Sequence, residues 1–194
     1  MMETPPTAAT MRLDGGHPVL DLVNTLYGQV GEPPEHDVLR TPEDLATFAR
    51  RVHVGDRADV ASLRAARRLR AACEAAFRDR DGAALERAAV AAYRAGTLEP
   101  GGWTWPDEPM SVVHRLAHAA VQLFSDDLTR LRGCAGCCWL YLDRSKNRSR
   151  KWCSMEDCGT NAKKRRYVEK RRRLSSPSAA APRSRPAARA SSAR

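Results

Sequence analysis

Through most of the chain, apolar residues recur at helical spacing, and capping residues open and close each run. After the turn Asp14-Gly15-Gly16, HPVLDLVNTLYG places Val19, Val23 and Leu26 in register, with Leu20 and Tyr27 beside them, which predicts a short helix. Gly28 to Arg40 reads as a loop. Thr41-Pro42-Glu43-Asp44 is a strong helix start, with a capping Thr, Pro at the first helical position and acid in the first turn; Leu45, Phe48 and Val52 then face inward. From Ala58 a stripe of Leu63, Ala66, Leu69, Cys73 and Phe77 predicts an amphipathic helix of about five turns. Its Arg64, Arg67, Arg68 and Arg70, with Asp56, Asp59, Glu74, Asp79 and Asp81 nearby, read as a solvent face laced with salt bridges. Asp81-Gly82 ends it, and AALERAAVAAYRAG forms another helix, stopped at Gly96. Leu98 and the alternating Trp103 and Trp105 flank a Pro-Gly-Gly turn and predict a two-stranded hairpin, its tryptophans closing the core rather than stacking on bases. SVVHRLAHAAVQLF is a further helix, with Val113, Leu116, Ala117, Ala120 and Phe124 inward, and Asp126 begins a half-helix after it.

The pattern changes after residue 130. Trp139, Tyr141 and Asp143 alternate with Leu140 and Leu142 as a half-buried strand would, and RSKNRSR follows as a polar turn. Residues 139–143 and about 150–153 are therefore the candidate β-hairpin. Ser154 stands where a helix N-cap belongs, with Asp157 three residues on, before AKKRRYVEKRRR runs without Gly or Pro.

Five of the six cysteines fall in this last region, with the spacing Cys134-x2-Cys137-x15-Cys153-x4-Cys158. Two thiolate pairs separated by a hairpin's length are the layout of a tetrahedral four-cysteine zinc site. Cys134-x3-Cys138 is also an acceptable pair; the commoner Cys-x2-Cys knuckle favours Cys137 and leaves Cys138 as a small apolar residue. Disulfides fit poorly with clustered pairs, a lone Cys73 far upstream and an opening, MMETPPTAAT, that lacks the features of a secretory signal. So short a unit cannot bury enough apolar surface to offset its ordering entropy, so the segment is expected to be unfolded without its one structural zinc ion.

Charge sharpens the picture. Residues 130–174 hold 15 Lys/Arg against 4 Asp/Glu, 4 more Arg lie beyond them, and the first 129 residues carry a net charge of −5. Such asymmetry is the footprint of a nucleic-acid-binding end on a neutral or acidic body. The candidate contacts are Arg144, Lys146, Asn147, Arg148, Arg150 and Lys151 in and beside the turn, and Asn161, Lys163, Lys164, Arg165 and Arg166 on the helix. Of these, Asn147, Arg148, Arg150 and Asn161 have side chains suited to reading base edges. Asp143 is expected to brace the turn by pairing with a neighbouring Arg, since it would repel a polyanion. The basic helix has little apolar face, which argues against a membrane surface, and no apolar run reaches the length of a membrane span, so a cytoplasmic location is expected.

WLYLDRSKNRSRKWCSMEDCG…AKKRRY closely resembles the CGNR zinc-finger family of bacterial transcription regulators, over residues 132–170. The resemblance implies a DNA-binding finger with Cys134, Cys137, Cys153 and Cys158 as ligands. Thr160 and Asn161 stand where the family's Asn and Arg are expected, so a contact made by that Arg is either missing here or comes from Lys163 or Lys164. GGHPVLDLVNT resembles the opening of the ABATE domain, which commonly precedes such a finger and is associated with stress-induced transcription regulation.

The chain is thus expected to be mainly α with small β-hairpins, a helical body followed by a treble-clef-like four-cysteine finger. Its predicted parts are a disordered segment 1–12, an ABATE-like helical domain 13–129, the finger with its basic helix 130–174, and a disordered basic tail 175–194. The expected function is DNA-binding transcription regulation, with the body sensing an effector or forming a homodimer that lengthens the DNA address. An RNA-binding or protein-interaction module with a purely structural zinc site is the alternative. An enzyme is not expected: four cysteines leave zinc no open position for water. His114 and His118 have metal-ligand spacing, but Arg115 stands where a metalloprotease helix carries Glu, and both read as helix positions.

Overall fold

The computed structural model describes residues 5–29, 31–126 and 128–175. Among the described residues there are six α-helices and three two-stranded antiparallel sheets. Helix α1 (Pro18–Val23) is capped by His17, whose Nδ1 accepts from the Val19 amide, and is buried along its length from Val19 to Val23. It is short because the chain turns at Asn24 into strand β1 (Leu26–Tyr27) instead of continuing to Leu26 as a helix. Strand β2 (His36–Asp37) pairs with β1, so the expected loop from Gly28 closes a small sheet.

Helix α2 (Pro42–Arg51) has a full capping box at its start: Thr41 accepts from the Asp44 amide, and Asp44 accepts from the Thr41 amide. Helix α3 (Val60–Asp79) is opened in the same way by Asp59 and Ser62 and ends at Arg80, which takes a left-handed conformation with φ 62°. Helices α4 (Ala83–Ala95) and α5 (Ser111–Ser125) pack with α3 as a three-helix layer, and α1 lies against α3 and α5. Between α4 and α5 the predicted hairpin forms from β3 (Thr97–Glu99) and β4 (Gly102–Thr104), Leu98 opposite Trp103. Trp105 donates to the Ala92 carbonyl and the rings of Trp103, Trp105, Tyr93 and His118 pack together, so the tryptophans cover α4 and α5.

Three expectations need correction. Residues 5–12 are not disordered: Ala8 and Met11 are buried in the core, and Arg51 donates to the carbonyls of both. Two inward residues, Ala8 and Met11, beside an exposed Ala9 are too few to show as periodicity. The arginines of α3 do not all belong to a solvent face. Arg70 is buried, gripping both Asp37 carboxylate oxygens at 2.7 Å and the Thr25 hydroxyl at 2.8 Å; Arg67 donates to the Leu39 carbonyl. Burial alone would raise the Asp37 carboxyl, but Arg70 holds it below its usual range. The partner acid comes from β2, remote in sequence, and the acids close to α3 in the sequence do not serve Arg70.

The third correction concerns the hairpin of the cysteine-rich region. A 3-10 turn (Leu128–Arg130) leads into β5 (Leu131–Gly133), which pairs with β6 (Leu140–Leu142), Leu131 opposite Leu142. Strand β6 thus pairs backwards, across the Cys134–Cys137 loop, and not forwards with residues 150–153. Leu131 and Leu140 enter the same apolar core as α1, α3 and α5. Finger and body therefore share one interior. A π-helical turn (Met155–Gly159) opens α6 (Thr160–Ser175). No helix among the described residues is long and apolar enough to cross a membrane. The low-complexity tail lies outside the described residues from 176 onward.

Candidate metal centre and nucleic-acid interface

Cys134 directly follows strand β5, and its amide donates to the Trp139 carbonyl at 2.8 Å, extending the hairpin ladder by one bond around the loop. That loop is tight because of Gly136: a Cβ there would lie 3.2 Å from Cys158 Cβ and 3.4 Å from Cys158 Sγ. Cys153 and Cys158 arrive from the other side, Cys153 just before the Ser154 cap and Cys158 within the π-helical turn. The Ser154 hydroxyl accepts from the Asp157 amide at 3.3 Å, which fixes the turn carrying Cys158.

These elements bring the sulfurs of Cys134, Cys137, Cys153 and Cys158 within 4.8 Å of one another. Cys137 and Cys153 are 3.6 Å apart, Cys153 and Cys158 3.7 Å. Tetrahedral coordination with Zn–S bonds of about 2.3 Å separates ligand sulfurs by roughly 3.8 Å, so the set has the size of a single zinc site. Amides of Gly136 and Cys153 each donate to Cys134 Sγ at 3.3 Å, as amides do around a metal-bound thiolate. Hydrogen bonds from Cys137 and then Cys153 pull the Cys134 thiol down, while Cys153 is pushed up by the sulfur of Cys134 and then that of Cys137. Such thiolates repel one another unless a cation sits among them. The four can hold one zinc ion. Cys138 stands outside the cluster and its thiol donates to the Leu26 carbonyl at 3.4 Å.

Around the sulfurs the packing is aromatic. Tyr141 is fully buried and its hydroxyl donates to the Arg150 carbonyl at 2.6 Å; Trp139 is buried edge-on to Tyr27, with centroids 4.9 Å apart. The buried carboxylate of Asp143 ties the root of the RSKNRSR turn by accepting the amides of Ser145 at 2.9 Å and Arg150 at 3.1 Å. Hydrogen bonds from the Ser145 hydroxyl and these amides hold that carboxyl below its usual range. It braces the turn as expected, but through backbone amides rather than a neighbouring Arg side chain.

The basic residues divide by what they touch. Arg150 lies over the Tyr141 ring, 4.5 Å from its centroid, and donates to the carbonyls of Trp152 and Cys153, so its guanidinium is engaged inside the finger. Arg144 donates to the Gly16 carbonyl and Arg148 to the Thr129 hydroxyl. Lys146, Asn147, Lys151, Asn161, Lys163, Lys164, Arg165 and Arg166 are exposed. Thr160 donates its hydroxyl to the Met155 carbonyl and so closes the π-helical turn. From Lys163 to Arg173 every side chain of α6 is exposed.

The surface that seats the finger is absent from the sequence reading. Asn24 donates to the Leu140 carbonyl at 2.8 Å and accepts from the Leu140 amide at 2.9 Å, so a side chain pairs the open edge of β6 as a strand would. Further along that edge, Leu142 donates to the Gly15 carbonyl, Cys138 donates to the Gly28 carbonyl, and Trp139 Nε1 to that of Leu26. Gly15 is required here: a Cβ would stand 2.8 Å from Leu20 Cβ and 2.9 Å from the Asp21 carboxylate. Asp21 accepts from the Gly15 amide, and burial pushes its carboxyl up to about 6. The one sequence signal for this seat is a polar Asn closing a helix that is apolar apart from Asp21. His118 Nδ1 bonds the Tyr93 hydroxyl at 3.0 Å, and neither it nor His114 joins a metal-ligating cluster among the described residues.

Residues 16–127 match the ABATE family model, described as "Putative stress-induced transcription regulator". Residues 130–171 match the model of the CGNR zinc finger. No curated protein matches the chain. The two models meet where β5 begins, and Asn24 and Leu140, which clasp each other, lie one in each.

Proposed function

We propose, from the premise that this chain belongs to the ABATE family, whose model spans more than half of it, that it is a DNA-binding transcription regulator. Cys134, Cys137, Cys153 and Cys158 hold one structural zinc ion, which fixes the knuckle against the start of α6. The basic helix and the 144–151 turn then meet the nucleic acid, and the protein performs no catalysis.

The observation that carries this reading is the unpacked cationic helix. Beyond Ala162, which is buried, the helix offers no apolar face to the body, and a polyanion laid along it would supply the counter-charge it lacks. Between Thr160 and Ser175, α6 carries eight Lys/Arg against one Glu. At about 3.6 residues per turn its exposed part spans about three turns, and the major groove of B-form DNA admits one such helix between two rows of phosphate. The major groove of A-form RNA is too narrow for it. Arg144, Arg148 and Arg150 position the turn, while Lys146, Asn147, Lys151, Asn161 and Lys163 to Arg166 make the contacts. Where the family's Arg is replaced by Asn161, Lys163 and Lys164 supply the charge.

Titrating zinc-loaded protein with labelled duplex DNA over a range of salt tests this. Affinity is expected to fall steeply with salt, and replacing Lys163, Lys164, Arg165 and Arg166 by Ala to flatten the log–log slope by about 0.9 for each phosphate no longer neutralised. Zinc-loaded protein without affinity for duplex DNA at low salt refutes the proposal. Preference for structured RNA in competition would move it to the RNA-binding alternative.

A further inference from the structure

We propose that the groove between α3 and α4 is a binding site for an organic anion, one with a flat apolar body and a single carboxylate. The groove encloses about 570 Å³, within the range of roughly 300–1,000 Å³ typical of small-molecule sites. Its two walls repeat one pattern: Ala65, Arg68, Leu69 and Ala72 on α3, and Ala84, Arg87, Ala88 and Ala91 on α4. Positions i, i+3, i+4 and i+7 share one helix face, so each wall is a strip of small apolar groups interrupted once by a guanidinium. Alanine methyls leave open the volume that larger side chains would fill by interdigitating, and the result is an apolar floor between two cations.

The start of helix α5 closes the groove with Met110, Val113 and His114. Arg68 and Arg87 are exposed and make no ion pair among the described residues. Two guanidiniums over an apolar floor suit a carboxylate, which an Arg fork can take through two parallel hydrogen bonds. A second copy of the chain fits less well, because a two-fold contact through this face would set Arg68 and Arg87 against their own copies. The groove shares no residue with the basic surface, so its fate is independent of the DNA-binding reading.

The probe is 2-naphthoate, titrated calorimetrically into the full zinc-loaded chain, with the uncharged 2-naphthamide as comparator. Saturable one-to-one binding of naphthoate is expected, with the amide at least roughly tenfold weaker, equivalent to about 1.4 kcal/mol. Arg68→Gln with Arg87→Gln is expected to bring naphthoate down to the level of the amide while leaving the melting temperature in place, since both side chains are exposed. Ala88→Trp, which fills the floor, is expected to abolish binding of both. The proposal is overturned by the absence of saturable naphthoate binding at millimolar concentration, by equal affinity for acid and amide, or by indifference to the Arg pair. It is also overturned by a concentration-dependent dimer that Ala88→Trp dissolves, which would make the groove a self-interface.

Discussion

The helical body and the cysteine finger share an interior yet are held together by different forces. In the body, Phe48, Leu20, Leu22, Leu39, Leu45, Leu69 and Leu116 are fully or almost fully buried in one continuous cluster. Apolar burial at about 25 cal/mol per Å² is enough to hold such a unit. The finger's own cluster consists of Cys134, Trp139, Tyr141 and Cys153, half of them thiols. Take the metal away and the centre of that cluster is a set of mutually repelling or proton-sharing sulfurs. The body is therefore expected to stay folded without the metal, and the finger to depend on its ion and on the edge that Asn24 offers it.

Removing zinc breaks the comparison most sharply. With a strong chelator, or in Cys153→Ser, the finger should lose on the order of 10 kcal/mol of coordination free energy. Far-ultraviolet circular dichroism is then expected to lose the contribution of α6 while the α1–α5 signal still melts cooperatively. The melting temperature of the body should fall by several degrees, because Leu131 and Leu140 no longer cover its core. A chain that loses all its helix in one step on chelation would show that the two regions are a single cooperative unit.

Asn24→Ala probes the seam between them. The substitution leaves both the amide and the carbonyl of Leu140 without partners in a buried place, which costs about 2–4 kcal/mol. The four sulfurs are untouched, so zinc is expected to remain bound at one equivalent. Hydrogen exchange should report the change at the Leu140 amide well before the amides of α3 or α5. Asn24→Asp keeps the acceptor for the Leu140 amide but sets a buried carboxylate oxygen against the Leu140 carbonyl, so it is expected to cost at least as much as Asn24→Ala. An unchanged Leu140 exchange rate in Asn24→Ala would mean that the clasp contributes nothing to seating the finger.

What can be read from the sequence follows the same divide between local and remote causes. Helix starts with local capping chemistry, Thr41-Pro42 and Ser154, are visible because donor and acceptor lie within three residues. The cysteine spacing is visible because coordination imposes a pattern that nothing else in the chain imitates. Pairings between distant segments are not. Arg70 finds Asp37 33 residues away and Asn24 finds Leu140 116 residues away, and neither residue carries a local mark of its partner. The strand Leu140–Leu142 is recognisable by its alternation, but alternation says nothing of which neighbour it joins. The knuckle decides that: a loop tight enough to turn Cys134 back towards Cys137 brings β5 alongside β6 and leaves residues 150–153 to carry a ligand.

The smallest effect offers the finest comparison, because one chemical change is made in each region. Thr41→Ala and Ser154→Ala both delete the side chain that caps a helix start, and each should cost about 1 kcal/mol in the zinc-loaded protein. With metal removed the two are expected to part. Thr41→Ala keeps its cost, since α2 remains folded on Leu45 and Phe48, and the melting temperature of the metal-free body drops by a few degrees relative to the parent chain. Ser154→Ala no longer has a cost, because an unfolded finger has no helix start to cap, and the metal-free variant melts like its metal-free parent. Ser154→Ala should also weaken zinc affinity by roughly fivefold to tenfold, the linkage equivalent of the stability it removes from the metal-bound state. Equal penalties for the two substitutions in metal-free protein would show that the start of α6 holds its shape without the ion. The finger would then owe its order to its neighbours in the body.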